Sequence, residues 1–245
     1  ESRMASDARE AREMLAAARA ARRKTGLVAM LCPPPFGLRG DYVVRDLLAS
    51  GWLGRPYQLF VRQQNAAYLD PSKPLHWRQQ KKRQGLNMLT LGMLSEVVQR
   101  WFGDTRSVQA QARTFVKRRP LAPGSPRLGR VERPDTISVL AEMKGGWLAA
   151  YLFSAVAMHP GPNLIEAWGD QGMLRYDLDH DRLFAGRAEQ PEAQEVPIPP
   201  EKARTWKVEA DFAAAIRTGA PVSPTFEDGV KYMEFTEAAE RAAAT

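Results

Sequence analysis

The sequence predicts an α/β (α+β) chain: a short stub of helix-then-strand alternation, followed by an open, mostly antiparallel β-sheet backed by helices. Three observations carry this. An amphipathic helix runs directly into the apolar hexapeptide LVAMLC, the rhythm of a parallel sheet. From Val108 onward, alternating segments separated by glycine-containing turns take over. Two further amphipathic helices close the chain and supply a cover for the sheet.

The elements follow in order. Ser6 with Asp7 offers a hydroxyl cap and a first-turn acid, and Ala8, Ala11, Met14, Leu15 and Ala18 then share one helical face up to Gly26. Residues 27–32 read as a short strand buried on both faces. Pro33, Pro34 and Pro35 break the chain, and residues 41–50 form a second helix with Val44, Leu47 and Leu48 inward, closed by Gly51 and Gly54. Residues 57–62 alternate as a strand, a long loop carries YLDPSKPLHWRQQKKRQ, and residues 85–103 form a helix. Residues 108–114 alternate again, residues 118–134 make a Pro/Gly/Arg loop, and residues 136–143 and 147–156 flank Lys144-Gly145-Gly146 as a hairpin. Residues 164–168 and 173–177 form another hairpin, and Asp179-His180-Asp181 is a third turn. Helices over 206–218 and 226–244 finish the chain, the last one capped by Thr225 with Asp228.

Composition bounds the function classes. A chain of 245 residues, 44% hydrophobic and 26% charged, buries a real core and is not disordered. The longest apolar run, residues 146–158, is too short for a membrane span, and the charged opening ESRMASDARE is no signal peptide. The single Cys32 excludes an internal disulfide and any cysteine-built metal site, which points to a reducing cytoplasm; three histidines, none at ligand spacing, give no zinc site. The net charge of +7 comes from 26 Arg and 9 Lys. Basic clusters at Arg78–Lys81–Lys82–Arg83 and Lys117–Arg118–Arg119 would attract phosphate, yet no nucleic-acid motif or interleaved aromatic accompanies them. They read as soluble charge on loops, with no nucleic-acid partner and no membrane partner.

Several stretches together resemble one family. ESRMASDAREAREMLAAARAA looks like the segment that opens Glu-Lys-Pro and runs into a helix in the glucose–fructose oxidoreductase, inositol dehydrogenase and MocA-type (Gfo/Idh/MocA) family. VVRDLLASGWLGRP resembles that family's helix ending in Gly-x-x-Gly, and HWRQ…GLNMLTLGML…RWFG its Trp-Arg…Gly-Gly-x-Leu-x-Asp-x-Gly-x-His…Trp-x-x-Gly pattern. IEAWGDQGMLRYDLD and DFAAAIRTGAPVSPTFEDGVKYMEF resemble the late strand pair and closing helices. The resemblance implies three units: residues 1–36 as the last elements of a dinucleotide-binding Rossmann domain, 37–225 as the substrate and dimerisation domain, and 226–245 as a helix packing back on the first. It also implies hydride transfer between NAD(P) and a sugar, polyol or glycoside hydroxyl, and a homo-oligomer formed through the sheet face.

The family's catalytic lysine, aspartate and histidine map to Ser2, Thr90 and Leu94, so no catalytic residue is carried over. A positioned general base is worth about two to four orders of magnitude in rate, and none of these three side chains titrates near neutrality. The resemblance places Glu1, Trp77 and Arg78 on the cofactor side. Asn87, Thr90 and His76 remain as substrate binders. Asn87, Thr90 and Leu94 would share a helix face at about 100° per residue, with Glu96 pointing away and pairing with Arg100. Tyr68 and Asp70 would complete a polar site, although a turn at Asp70-Pro71 explains the acid as well; His159 and His180 read as surface residues. No Gly-x-Gly-x-x-Gly turn occurs, and the chain begins at Glu1, not Met. NAD or NADP is therefore expected of a longer protein, and no cofactor of this chain alone. Two readings stay open: an NAD(P)-dependent oxidoreductase seen as a truncated or degenerate chain, or a non-catalytic sugar-binding or scaffolding subunit.

Overall fold

The computed structural model describes residues 3–34 and 38–244. Helix α1 (Ala8–Thr25) begins at an Asp7 cap, not at Ser6: the Asp7 carboxylate accepts from Glu10 N at 2.7 Å while Ser6 N donates back to Glu10 Oε2 at 2.7 Å. Gly26, in the left-handed region at φ 71°, closes it.

Residues 27–32 are not a strand. Leu27 is 49% exposed and only Leu31 is buried, its N–H donating to Pro224 O at 3.0 Å. A strand buried on both faces needs neighbours to take its backbone hydrogen bonds, and no described strand lies beside this one. Leu31 instead joins a small second core with Met4, Ala8, Ala11, Tyr232 and Met233.

After α2 (Asp41–Ala49), strand β1 (Pro56–Gln64) enters the main sheet. Further along come α3 (Lys81–Gln84), α4 (Leu91–Phe102), β2 (Thr105–Arg113), β3 (Arg118–Pro120), β4 (Leu128–Arg130), β5 (Thr136–Met143) and β6 (Leu148–Ser154). Strands β7 (Leu164–Gly169), β8 (Gly172–Asp177), β9 (Arg182–Arg187) and β10 (Gln194–Val196) then lead to α5 (Val208–Thr218) and α6 (Phe226–Ala244). The eight-stranded sheet runs β10-β9-β8-β7-β1-β6-β5-β2; β1 and β6 are parallel, from Gln58 opposite Leu148 to Gln64 opposite Ser154, and the other pairs are antiparallel. The predicted hairpins over Lys144–Gly146 and at residues 169–172 thus form, and strands β9 and β10 extend the sheet past the turn expected at residues 179–181.

Alternation decides which face is covered. Ile137, Val139, Ala141 and Met143 of β5 turn inward against α4 and α6, while Leu140 and Leu148 on the other face are 61% and 60% exposed. Helices α2, α4 and α6 thus cover one side, and α6 also packs along α1. Thr225 and Asp228 cap α6 reciprocally, Thr225 N reaching Asp228 Oδ2 at 2.8 Å and Asp228 N reaching Thr225 Oγ1 at 3.1 Å. Among the described residues, no helix is long and apolar enough to cross a membrane.

Two further expectations change. The helix expected over 85–103 starts only at Leu91, because Gly85 sits at φ +62° and Leu89 at φ 48°. A Cβ at Gly85 would lie 2.2 Å from Ser6 O, so the backbone there passes too close for any side chain. The loop expected over 118–134 contains the β3–β4 ribbon, and within it Arg119 is not a solvated charge but 1% exposed.

Candidate functional site

In the interior of the sheet the parallel pair β1 and β6 brings two carboxyl ends side by side, at the one point where strand direction does not alternate, a usual position for a binding crevice. A cavity of about 210 Å³ opens there. Gln63 comes from the end of β1, Asn65 and Tyr68 from the segment after it, and Ser154 and Ala155 from the end of β6. Thr90 and Met93 arrive on the first turn of α4, Arg78 and Gln79 on a 3₁₀ turn (Trp77–Gln79), and Arg3, Gln84, Leu89, Arg133 and Pro134 complete the wall.

Of the residues singled out in the sequence, Thr90, Arg78 and Tyr68 line this cavity. The Thr90 hydroxyl donates to Gln63 Oε1, which fixes the orientation of both side chains. The Arg78 guanidinium lies over the Trp77 ring, 4.3 Å from its centroid, and Trp77 stands beside the wall without lining it. His76 also stands outside the lining. It caps the 3₁₀ turn, with Nδ1 accepting from Arg78 N at 3.2 Å and its own N–H donating to Gln79 Oε1 at 3.0 Å. Burial and the neighbouring Arg78 hold its pKa below the usual histidine value, so the ring is neutral at pH 7.

Asn87 is buried and does not line the cavity; its amide donates to Ala5 O and Gln84 O, both at 3.0 Å. Because residues 85–90 are not helical, the helical-face relation between Asn87 and Thr90 does not exist. Leu94 is 0% exposed and belongs to the main core. Glu1 and Ser2 lie outside the described residues.

Tyr68, which shares its loop with Asp70, puts its hydroxyl 3.5 Å from His76 Nδ1. Burial raises the phenol pKa while Arg78, Arg119 and Arg3 oppose the rise, so the group is a hydrogen-bond donor at neutral pH. Asp70 turns its carboxylate to Ser72 N at 2.9 Å, the turn reading of that acid. Glu96 pairs with Arg100 at 2.9 Å, as its spacing suggests, but inside the protein. Arg100 continues to Asp41, which also accepts from Trp101 Nε1 at 2.7 Å. Burial pushes the Glu96 carboxyl above the usual range, and Arg100 pulls against that. His159 and His180 are both exposed.

The polar wall residues that sequence reasoning passed over are Arg3, Gln63, Asn65, Gln79, Gln84, Arg133 and Ser154. Arg133 reaches Gly85 O at 3.0 Å and Glu240 at 2.7 Å, contacts spanning 48 and 107 residues, so no local pattern announces it. Strand-end polar residues such as Gln63 and Asn65 carried a weak signal: a polar run closing an alternating strand.

The cavity, about 210 Å³, is smaller than the ~300–1,000 Å³ of ordinary ligand pockets, and among the described residues no Gly-x-Gly-x-x-Gly turn stands beside it to hold a pyrophosphate. Its wall offers amides, hydroxyls and guanidinium groups, and no side chain that accepts a proton near neutrality.

Residues 43–175, more than half of the chain, match the family model described as the GFO/IDH/MocA C-terminal domain. The chain belongs to the Gfo/Idh/MocA family. Its structure is similar to that of an oxidoreductase domain protein from Kribbella flavida, at 25% identity and TM-score 0.83, covering 98% of this chain and 70% of that one. It also resembles an NAD binding oxidoreductase from Klebsiella pneumoniae, at 20% identity and TM-score 0.82, covering 98% and 69%. A levoglucosan dehydrogenase in complex with NADH and L-sorbose matches at 21% identity and TM-score 0.82 over 98% and 69% of the two chains. These last two likenesses establish the fold. No curated protein sequence matches the chain at a significant level. Within this Gfo/Idh/MocA frame, the position of the family's aspartate is Thr90, in the cavity wall, and that of its histidine is Leu94, in the core.

Proposed function

We propose that this Gfo/Idh/MocA chain binds a sugar, polyol or glycoside in the cavity between the carboxyl ends of β1 and β6 and the start of α4, and does not itself move the substrate's hydroxyl proton. The observation that carries this is the Thr90–Gln63 hydrogen bond in a wall of neutral polar groups and arginines. Hydroxyl and amide pairs of this kind hold a polyol by reciprocal hydrogen bonds, and none of them is a general base. The open sheet face, with Leu140 and Leu148 exposed, supports pairing with a second copy of the chain.

The test is calorimetric titration of the chain with a panel of monosaccharides, polyols and glycosides. Saturable binding to at least one of them is expected, weakened several-fold by Thr90→Val with the unfolding midpoint unchanged. If no member of the panel binds, the proposal is wrong.

A second reading is hydride transfer between NAD(P) and the bound hydroxyl, and the likeness to a dehydrogenase holding NADH and L-sorbose favours it. Loss or gain of nicotinamide absorbance when the chain is mixed with NAD(P)(H) and the bound sugar would establish it; flat absorbance would leave binding alone.

A further inference from the structure

The cavity's charge is one-sided. Among the described residues that line it, three are arginines, Arg3, Arg78 and Arg133, and none is acidic. Behind the wall stands a fourth, Arg119, whose guanidinium lies 5.7 Å from the Tyr68 ring centroid and donates only to backbone carbonyls, those of Tyr68, Asp70 and Lys73. Arg133 is partly neutralised by Glu240 at 2.7 Å. Of the carboxylates in the flanking segments, Asp135 accepts through Oδ2 from Phe115 N at 2.8 Å and Val116 N at 2.9 Å while its buried Oδ1 has no partner, and Asp70 accepts from Ser72; neither lines the cavity.

The wall also keeps donors in reserve. Arg133 Nε and Gln79 Nε2 are buried and have no hydrogen-bond partner, although the two residues are 4% and 2% exposed and both line the cavity. A buried N–H left unpaired is costly, so an acceptor that enters this wall is favoured where the two donors can turn to it. Helix α4 starts at the same wall, with Thr90 making no side-chain cap to its first N–H groups, and adds the positive end of its dipole.

We propose that the cavity selects a carboxylate-bearing carbohydrate, an aldonate or uronate, over the neutral sugar of the same skeleton, with Arg78, Arg133 and Gln79 facing the carboxylate and Thr90, Gln63 and Asn65 facing the hydroxyl groups. The inference rests on the carbohydrate reading of the same cavity. Acceptor-only oxygens of a carboxylate match donor-only guanidinium groups, whereas a sugar hydroxyl would meet them with one lone-pair set and an unplaced proton. Each charge-assisted bond to a guanidinium is worth enough for roughly a tenfold difference in affinity or more.

The experiment compares matched sets by calorimetry on the whole chain: D-glucose, D-glucuronate, D-gluconate and the neutral methyl ester of glucuronic acid, then the galactose and xylose counterparts. At least one acid is expected to bind roughly tenfold or more tightly than its neutral sugar and its methyl ester. Arg78→Gln, at an exposed position, should erase that margin while leaving the urea midpoint unchanged. If a neutral sugar binds as well as its acid, or if Arg78→Gln leaves the margin intact, the carboxylate assignment is overturned and the carbohydrate site stands. If neither acid nor sugar of any set binds, both readings fall together.

Discussion

Arg119 Nη1 donates to the carbonyl oxygen of Asp70 at 2.6 Å, and the same guanidinium reaches the carbonyl of Tyr68. One buried cation therefore shapes the loop that brings Tyr68 to the cavity. Arg119→Leu leaves those carbonyls desolvated with nothing to accept from. The expected loss is about 2–4 kcal/mol, from bonds to a charged group worth about 1.5–3 kcal/mol each. Urea unfolding measures it, and Arg119→Lys should recover only part, since one ammonium cannot span the same carbonyls. An unchanged midpoint for Arg119→Leu would contradict the clamp.

Asp41 is 1% exposed and holds Arg100 and the indole N–H of Trp101 together. Removing a partner from a buried pair costs about 3–5 kcal/mol, because the remaining charge has no solvent to turn to. Asp41→Ala is expected to fall in that range, softened by Glu96, which still pairs with Arg100. A loss below about 1 kcal/mol, typical of surface pairs, would show that the network is wet.

Leu94 occupies the family's histidine position but is wholly buried in the main core. Restoring the imidazole should therefore fail. Leu94→His buries a polar ring and removes a packed aliphatic side chain, at an expected cost of about 2–5 kcal/mol. A thermal melt reads this; a stable Leu94→His protein with new dehydrogenase activity would mean that the side chain reaches the cavity after all.

Asp104 pairs with Lys231 at 2.9 Å and Lys144 at 3.4 Å, and the hydrogen bond from Lys231 holds its carboxyl below the usual aspartate range. A depressed folded-state pKa contributes stability above the unfolded value of about 3.9, and that stability is lost as pH falls through the folded value. Asp104→Asn should cost about 0.2–1 kcal/mol at neutral pH, less in high salt. The stabilities of wild type and variant should converge as the medium is acidified below the usual aspartate pKa. A gap that widens with acidification would reverse the assignment.

The elements written in local chemistry were the readable ones. Thr225 and Asp228 announce a capped helix because their two hydrogen bonds close within one turn. Glu96 and Arg100, four residues apart, declare an ion pair for the same reason. The alternation of residues 136–143 assigns each side chain to a face before any partner strand is known. The failures came where a distant partner decided: LVAMLC has every local mark of a buried strand but pairs with no strand among the described residues, and Arg119 looks like solvated charge until three carbonyls surround it.

The sequence by itself determined the helix caps, the period of the sheet and the glycine turns, and it carried the family motif together with its empty catalytic positions. These depend on hydrogen bonds and periodicities that close within a few residues. Only the tertiary structure decided that Gln63, Arg78, Thr90, Arg133 and Ser154 share one wall, that this wall holds no acid, and that Asn87 and Leu94 lie away from it. The cause is physical: a parallel pairing of β1 with β6 and a guanidinium reaching across 107 residues are set by long-range packing, which leaves no period in the chain to read.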